Sequence, residues 1–312
     1  MAALVESIFY TSNDQNNRFV PWHGIGTPVK ESPTSEDAIR LANLDWVVES
    51  KPVFDESGKE IPGFKANTRS SDNSILGIVS NKYKIIQNSE AFEFTDNLIS
   101  DEIRYETAGS LRNGKTIWLL AKLPEKYIIG DKFDPYICFT NNHDGKGAVT
   151  VCMTPIRVVC NNTLNLALGS AKRSWSIRHL GDITSKLHEA RHTLALADLY
   201  MDKLDLEANR LASIKITDPE LEAIFDDLYP IKTDDSSRKK TNIISMKEDI
   251  FKKYESPDIS QFKGTAWGVI NAVTDFAAHT APARLTQSFQ ENNWGRIIGG
   301  HPVVDAFYKK VA

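Results

Sequence analysis

At 312 residues, with 41% hydrophobic and 25% charged side chains, the chain has the make-up of a folded globular protein, which excludes wholesale disorder and any need for a disulfide or metal staple. Its formal charge of −4 says nothing against a local basic patch. Three cysteines with no CxxC pair, no leader-like N-terminus and no apolar run near the roughly 20 residues of a membrane span point to a reducing, cytoplasmic protein that does not enter a membrane.

The first 70 residues are polar and rich in turn formers. "PWHGIGTP" at 21–28 reads as a loop: Gly24-Ile25-Gly26 lacks the third glycine and the preceding strand of a dinucleotide fingerprint, and His23 beside Trp22 reads as a packed pair. Ser35 is an N-cap candidate for a short helix over 36–44. Short β-type runs then recur, "WVVES", "SILGIVS", "TIWLLAKL" and "YICFTN", interrupted by a helix at about 89–100, where Ala91, Phe92, Thr95, Leu98 and Ile99 follow helical spacing. The fold class is α+β: an antiparallel β-sheet with a hairpin packed on a long helix, and a helical C-terminal region.

The clearest local signal is "NNHDGKGAVTVCM". Asp144-Gly145 and Lys146-Gly147 separate two β-prone runs, which predicts a hairpin over 136–154 with His143 and Asp144 in a solvated turn, a reading preferred to one in which they bind metal. Cys138, Cys152 and Cys160 lie in apolar runs, where a thiol behaves as a small hydrophobe. Asn161 or Asn162 can cap a short helix through Leu168 that Gly169 closes. Arg157, in an otherwise apolar strand, either pairs with a carboxylate or faces a ligand.

Between Gly145 and His192 stand seven Lys or Arg and only two acids, a local excess of positive charge inside an acidic protein. Bases interleaved with an aromatic suit a single strand: cations meet phosphates, and a flat ring receives unstacked bases. Arg157, Lys172, Arg173, Arg178 and Lys186 are the candidate phosphate contacts and Trp175 the stacking platform. The competing reading puts the bases on a solvated face and Trp175 in the core.

From Ile183 to Leu211 apolar residues recur alternately four and three apart, which predicts a long helix near 182–211 packed by its seam against another helix, in the same chain or in a second copy. The same helix carries "HEARH". His188, Glu189 and His192 match the HExxH pattern of zinc hydrolases, but Arg191 stands between the candidate ligands and Glu207 lies too far along the helix to complete a site. Thr217 and Glu220 form a capping box for another helix, 232–242 reads as a solvated linker, and Trp267, Ile270, Asn271 and Thr274 share a helix face, with Asn271 a buried hydrogen-bonding residue. The organisation expected is a core domain over 1–215 and a helical region over 216–312. No GxSxG, P-loop or nucleophile–base grouping occurs, so no reaction is legible and no cofactor is expected.

"GKTIWLLAKLP", "TNNHDGKGAVTVCMTPIRVVCNNTLNLAL", "WSIRH" and "GTAWGVINAVTDF" together resemble the phage/plasmid-like family designated domain of unknown function 932. The resemblance implies residence on a mobile element. The order of strands, hairpin and long helix is similar to single-strand annealing recombinases of the RecT and Erf type. The function expected is therefore an ATP-independent protein that binds single-stranded DNA or RNA, as a homo-oligomer. The alternatives are a zinc hydrolase and a module that contacts a host protein.

Overall fold

Two antiparallel sheets and a set of helices make up the computed structural model, which describes residues 27–29, 32–93, 95–96, 103–157, 162–163, 166, 174–180, 193–280, 295–296 and 300–312. The smaller sheet is a meander of β2 (Val48–Phe54), β3 (Glu60–Arg69) and β4 (Ile75–Ser80). The larger runs β1 (Thr27–Pro28), β5 (Arg104–Leu111), β6 (Thr116–Lys122), β8 (Asp131–Asn142), β9 (Val149–Arg157) and β10 (Asn162–Thr163) in spatial order. β7 (Lys126–Ile128) shares one edge of β8 with β6, and β11 (Ser174–Ile177) shares one edge of β9 with β10.

The expected hairpin is present, with β8 and β9 paired from Phe133↔Arg157 to Thr140↔Thr150. Alternation along β6 sends Ile117, Leu119 and Ala121 into the main core and Trp118 and Leu120 into a second apolar layer with Tyr136, Cys138, Cys152 and Ile156, so the centre of the sheet is buried on both faces. Cys138 and Cys152 stand opposite each other, not joined in a disulfide, and burial pushes the Cys138 thiol well above its usual range. Both act as small hydrophobes here; Cys160 lies outside the described residues. Asn162 corrects a local expectation: it pairs with Arg157 in β10 instead of capping a helix.

The helices follow their local signals closely. α1 (Ser35–Leu41) is capped by Thr34, whose hydroxyl accepts the Asp37 amide, one residue before the candidate; Ser35 itself donates to Asp96. α2 (Asn88–Glu93) covers the first half of the helix expected at 89–100. In α3 (Thr193–Ser213) the seam residues Ala197, Met201, Leu204, Ala208 and Leu211 are all buried, and the helix packs on α6 (Ala266–His279), β7 and β9. The described part of the seam is therefore satisfied within one chain.

α4 (Asp218–Leu228) begins with the expected capping box: Thr217 accepts the Glu220 amide, and Glu220 accepts the Thr217 amide. The segment 232–242 is largely exposed, but from Ser237 it forms the first turns of α5 (Ser237–Tyr254), capped by Ser236. α6 is buried almost all round; Asn271 Nδ2 donates to the Trp267 carbonyl at 2.9 Å, the hydrogen-bonding role expected of it. α7 (Pro302–Val311) closes the chain. One apolar cluster runs from Ile39 and Phe92 through Phe139 and Val151 to Leu204, Trp267 and Phe307, uniting sheet and helices. No helix among the described residues is long and apolar enough to cross a membrane.

Candidate nucleic-acid interface

The tip of the β8–β9 hairpin is where the two sheets meet. Its turn is built locally: the Asp144 carboxylate accepts the Lys146 amide at 2.9 Å, and Gly145 adopts φ +77°, a conformation that favours glycine. Arg112 then pins the turn from β5's end, donating through Nη1 to Asp144 at 2.9 Å and through Nη2 to Thr116, whose hydroxyl donates to Asn142 Oδ1 at 2.6 Å.

The solvated turn expected from the sequence is corrected by this arrangement. His143 is 0% exposed and Asp144 8%. The smaller sheet covers them: Asn67 Nδ2 donates to the His143 carbonyl at 2.8 Å, and Gly77 lies so close to Asp144 that a Cβ there would stand 2.5 Å from the Asp144 Cα. The segment between β4 and α2 closes the other side, where the Tyr83 hydroxyl donates to the Asn142 carbonyl at 2.6 Å and Asn141 Nδ2 to the Ile86 carbonyl at 3.0 Å.

Two histidines sit in this polar core, both neutral. Asn88 Nδ2 is committed to the Leu44 carbonyl, so its Oδ1 must accept from His143 Nε2, 2.8 Å away, and His143 carries its proton on Nε2. Burial, with His179 nearby adding to it, pushes His143 down to about 3. His179 Nδ1 meets the Lys84 carbonyl at 3.1 Å and must donate; burial lowers its pKa as well. The Tyr83 ring stacks on His179 with centroids 4.6 Å apart, and burial raises the Tyr83 phenol. Two neutral rings and an acid paired to Arg112 form a clamp that holds the hairpin turn against the smaller sheet and the segment carrying Tyr83.

What the clamp presents to water is positive charge. Lys82 and Lys84 flank Tyr83, Lys146 rides on the turn, and Arg178 follows β11; all four are exposed. The Lys84 amide donates to the His179 carbonyl, and Ile177 pairs with Val149 just after the turn, so the four belong to one end of the larger sheet. Among the described residues none of the four takes part in an ion pair. Lys82 and Lys84 were not among the sequence candidates, although "NKYK" has the same base–aromatic interleaving that singled out the later segment.

Of the candidates themselves, Trp175 lies in β11 opposite Val151, half-buried and packed against the main core, and Arg178 joins the cationic end. The Arg157 backbone lies at the far end of β9, about 27 Å from the turn at 3.4 Å per residue, so the fold separates Arg157 from Arg178 by a strand's length. The Arg157 side chain, Lys172, Arg173 and Lys186 lie outside the described residues, as do His188, Glu189 and His192 of the zinc alternative. Among the described residues no group of three His, Cys, Asp or Glu side chains could hold a metal ion.

A family model described as a domain of unknown function (DUF932) matches residues 75–295, more than two thirds of the chain. No curated protein and no solved structure matches it, so the likeness to RecT and Erf recombinases gains no support.

Proposed function

The chain belongs to the DUF932 family, and from its own geometry we propose that it binds single-stranded nucleic acid across the hairpin end of the larger sheet, as a phage- or plasmid-borne annealing protein acting without ATP. The observation that carries this reading is that Lys82, Lys84, Lys146 and Arg178 are all exposed at one end of the larger sheet and that none of them is ion-paired among the described residues. Cations of this kind bind phosphates by releasing condensed counterions, which favours any strand and reads no base. An annealing protein needs that property, because base edges must stay free to find their complement.

Lys172 and Arg173, which immediately precede β11 in the chain, and Lys186 are further phosphate contacts in this reading. Trp175 offers the unburied part of its ring to a base. A strand reaching Arg157 as well would follow the β11–β10 edge of the sheet. The test is anisotropy of a fluorescent oligothymidylate with the full chain, in parallel with a duplex of equal length. Retention of the single strand at moderate salt, weakening linearly in log salt, is the expected result. No salt-dependent affinity for single-stranded DNA or RNA would overturn the reading.

A further inference from the structure

The smaller sheet grips the hairpin tip with one face and shows water an apolar other face. Register decides which side chains share it. Ala66 lies between Lys51 and Ile78, Thr68 between Glu49 and Ile75, and Phe64 stands opposite Ser80. Paired residues of an antiparallel ladder point the same way and neighbours along a strand alternate. Phe64 and Ile78 therefore project together on the face opposite Asn67 and Gly77, and Ile75 joins them because a register shift between Asn67 and Thr68 pairs it with Thr68.

Phe64, Ile75 and Ile78 are 50%, 60% and 57% exposed, whereas Ala66 and Thr68 on the same face are buried. The surface is thus a floor of small side chains bounded by Phe64, Ile75 and Ile78 on one side and by Glu49 and Lys51 on the other. Contiguous exposed apolar patches of this kind mark protein contacts on soluble proteins.

The rim selects the occupant. Glu49 and Lys51 stand two residues apart on β2, at the edge of the patch, on the same face and 3.6 Å from each other; Lys51 Nζ also donates to Asn73 at 2.7 Å. One acid and one base beside an apolar centre is a self-complementary pattern, since a two-fold axis brings Glu49 of each copy to Lys51 of the other. Nucleic acid would gain nothing from the glutamate. We infer that the outer face of the β2–β3–β4 sheet is the contact between two copies of this chain, closed by reciprocal Glu49–Lys51 pairs around Phe64, Ile75 and Ile78. This contact is separate from the cationic end of the larger sheet and does not depend on what binds there.

Light scattering on the full chain tests it, with circular dichroism to verify folding. The wild type is expected at twice the chain mass at high micromolar concentration. Ile78→Glu, at a position already more than half exposed, is expected to keep the native fold and raise the dimer dissociation constant by about a hundredfold or more, because the interface would bury an unpaired carboxylate. Glu49→Lys and Lys51→Glu, each alone, place like charges face to face and weaken the dimer. An equimolar mixture of those two variants is expected to associate again, one copy supplying two bases and the other two acids. A monomeric wild type overturns the inference, as does a dimer that Ile78→Glu leaves intact, or single charge variants that dimerise as well as the wild type. Loss of oligonucleotide binding in Ile78→Glu with no change in mass would also overturn it, and would assign the face to nucleic acid.

Discussion

Lys84 and His179 hold each other by two hydrogen bonds: the Lys84 amide donates to the His179 carbonyl at 2.9 Å, and His179 Nδ1 donates to the Lys84 carbonyl at 3.1 Å. The segment that carries Lys82 and Lys84 is thereby tied to the end of β11 that carries Arg178. A phenylalanine at 179 preserves the stack on Tyr83 and removes the Nδ1 donor. His179→Phe is expected to cost about 1 kcal/mol of stability, the net worth of one hydrogen bond, and to weaken single-strand binding as the cations lose their fixed spacing. His179→Asn, whose amide can still donate, should retain more affinity than the phenylalanine variant. Equal affinities for wild type and His179→Phe would show that the tie does not organise the binding surface.

The buried histidines make stability depend on pH in one direction. His143 titrates at about 3 in the folded chain against about 6.5 when unfolded, so between those values the unfolded state binds the extra proton. Its contribution is complete above pH 6.5 and is lost as pH falls, at about 1.4 kcal/mol per pH unit, or about 2 kcal/mol between pH 6.5 and pH 5. His179, lowered by burial too, acts in the same sense. Urea unfolding at pH 7.5 and pH 5 measures the difference. His143→Gln should be less stable at pH 7.5 yet lose less on acidification; an identical acid loss in both proteins would remove His143 as the cause.

What could be seen in the sequence was what depends on neighbours in sequence. The capping box of Thr217 and Glu220 spans three residues, the hairpin turn is written in Asp144-Gly145 and Lys146-Gly147, and the four–three spacing of Ala197, Met201, Leu204, Ala208 and Leu211 describes a helix face whatever it packs on. The fate of His143 and Asp144 was not of that kind. Their burial depends on Asn67 and Asn88, 76 and 55 residues away in the chain, and on Gly77, whose missing Cβ lets β4 approach the turn. A local reading sees only a polar turn. The cationic end was half visible: Arg178 lay in the basic segment, whereas Lys82 and Lys84 reach it through the His179 tie, which no count of charges along the chain reveals.

Gly77 is where the docking of the two sheets can be tested. A Cβ there would lie 2.5 Å from the Asp144 Cα and 2.8 Å from its carbonyl oxygen, and backbone cannot swing aside as a side-chain end can. Gly77→Ala is expected to destabilise by about 1–3 kcal/mol, the usual cost of overpacking a buried contact. Thermal unfolding reads the loss. An unchanged midpoint would mean that the smaller sheet can lift from the turn without consequence, contrary to its place in the polar core.

The α3 seam makes a plainer demand. Leu204 is fully buried on the side facing the sheet and α6, so Leu204→Asp places an unpaired carboxylate in an apolar layer at a cost of several kcal/mol, a large share of the stability of an ordinary domain. Asp198, exposed on the same helix and paired only loosely with Lys126, should tolerate alanine within about 0.5 kcal/mol. Soluble, normally folded Leu204→Asp protein would contradict the packing.

Salt dependence separates the cations from the aromatic. Each phosphate neutralised on a single strand contributes a slope of about −0.7 to log affinity against log salt. Lys82→Ala combined with Lys84→Ala should flatten that slope by about 1.4, because both side chains are exposed and, among the described residues, neither is ion-paired within the fold. Trp175→Ala acts on a different interaction: lost stacking lowers affinity by about 1–3 kcal/mol and leaves the slope nearly unchanged. Because Trp175 also packs against the main core, its thermal stability has to be followed alongside, and a variant that unfolds early but binds normally while folded would assign the ring to packing alone. The lysine pair has no such ambiguity. If removing both leaves slope and affinity at their wild-type values, the exposed cations around the hairpin tip do not contact phosphate, and the surface they form serves an acidic partner of another kind.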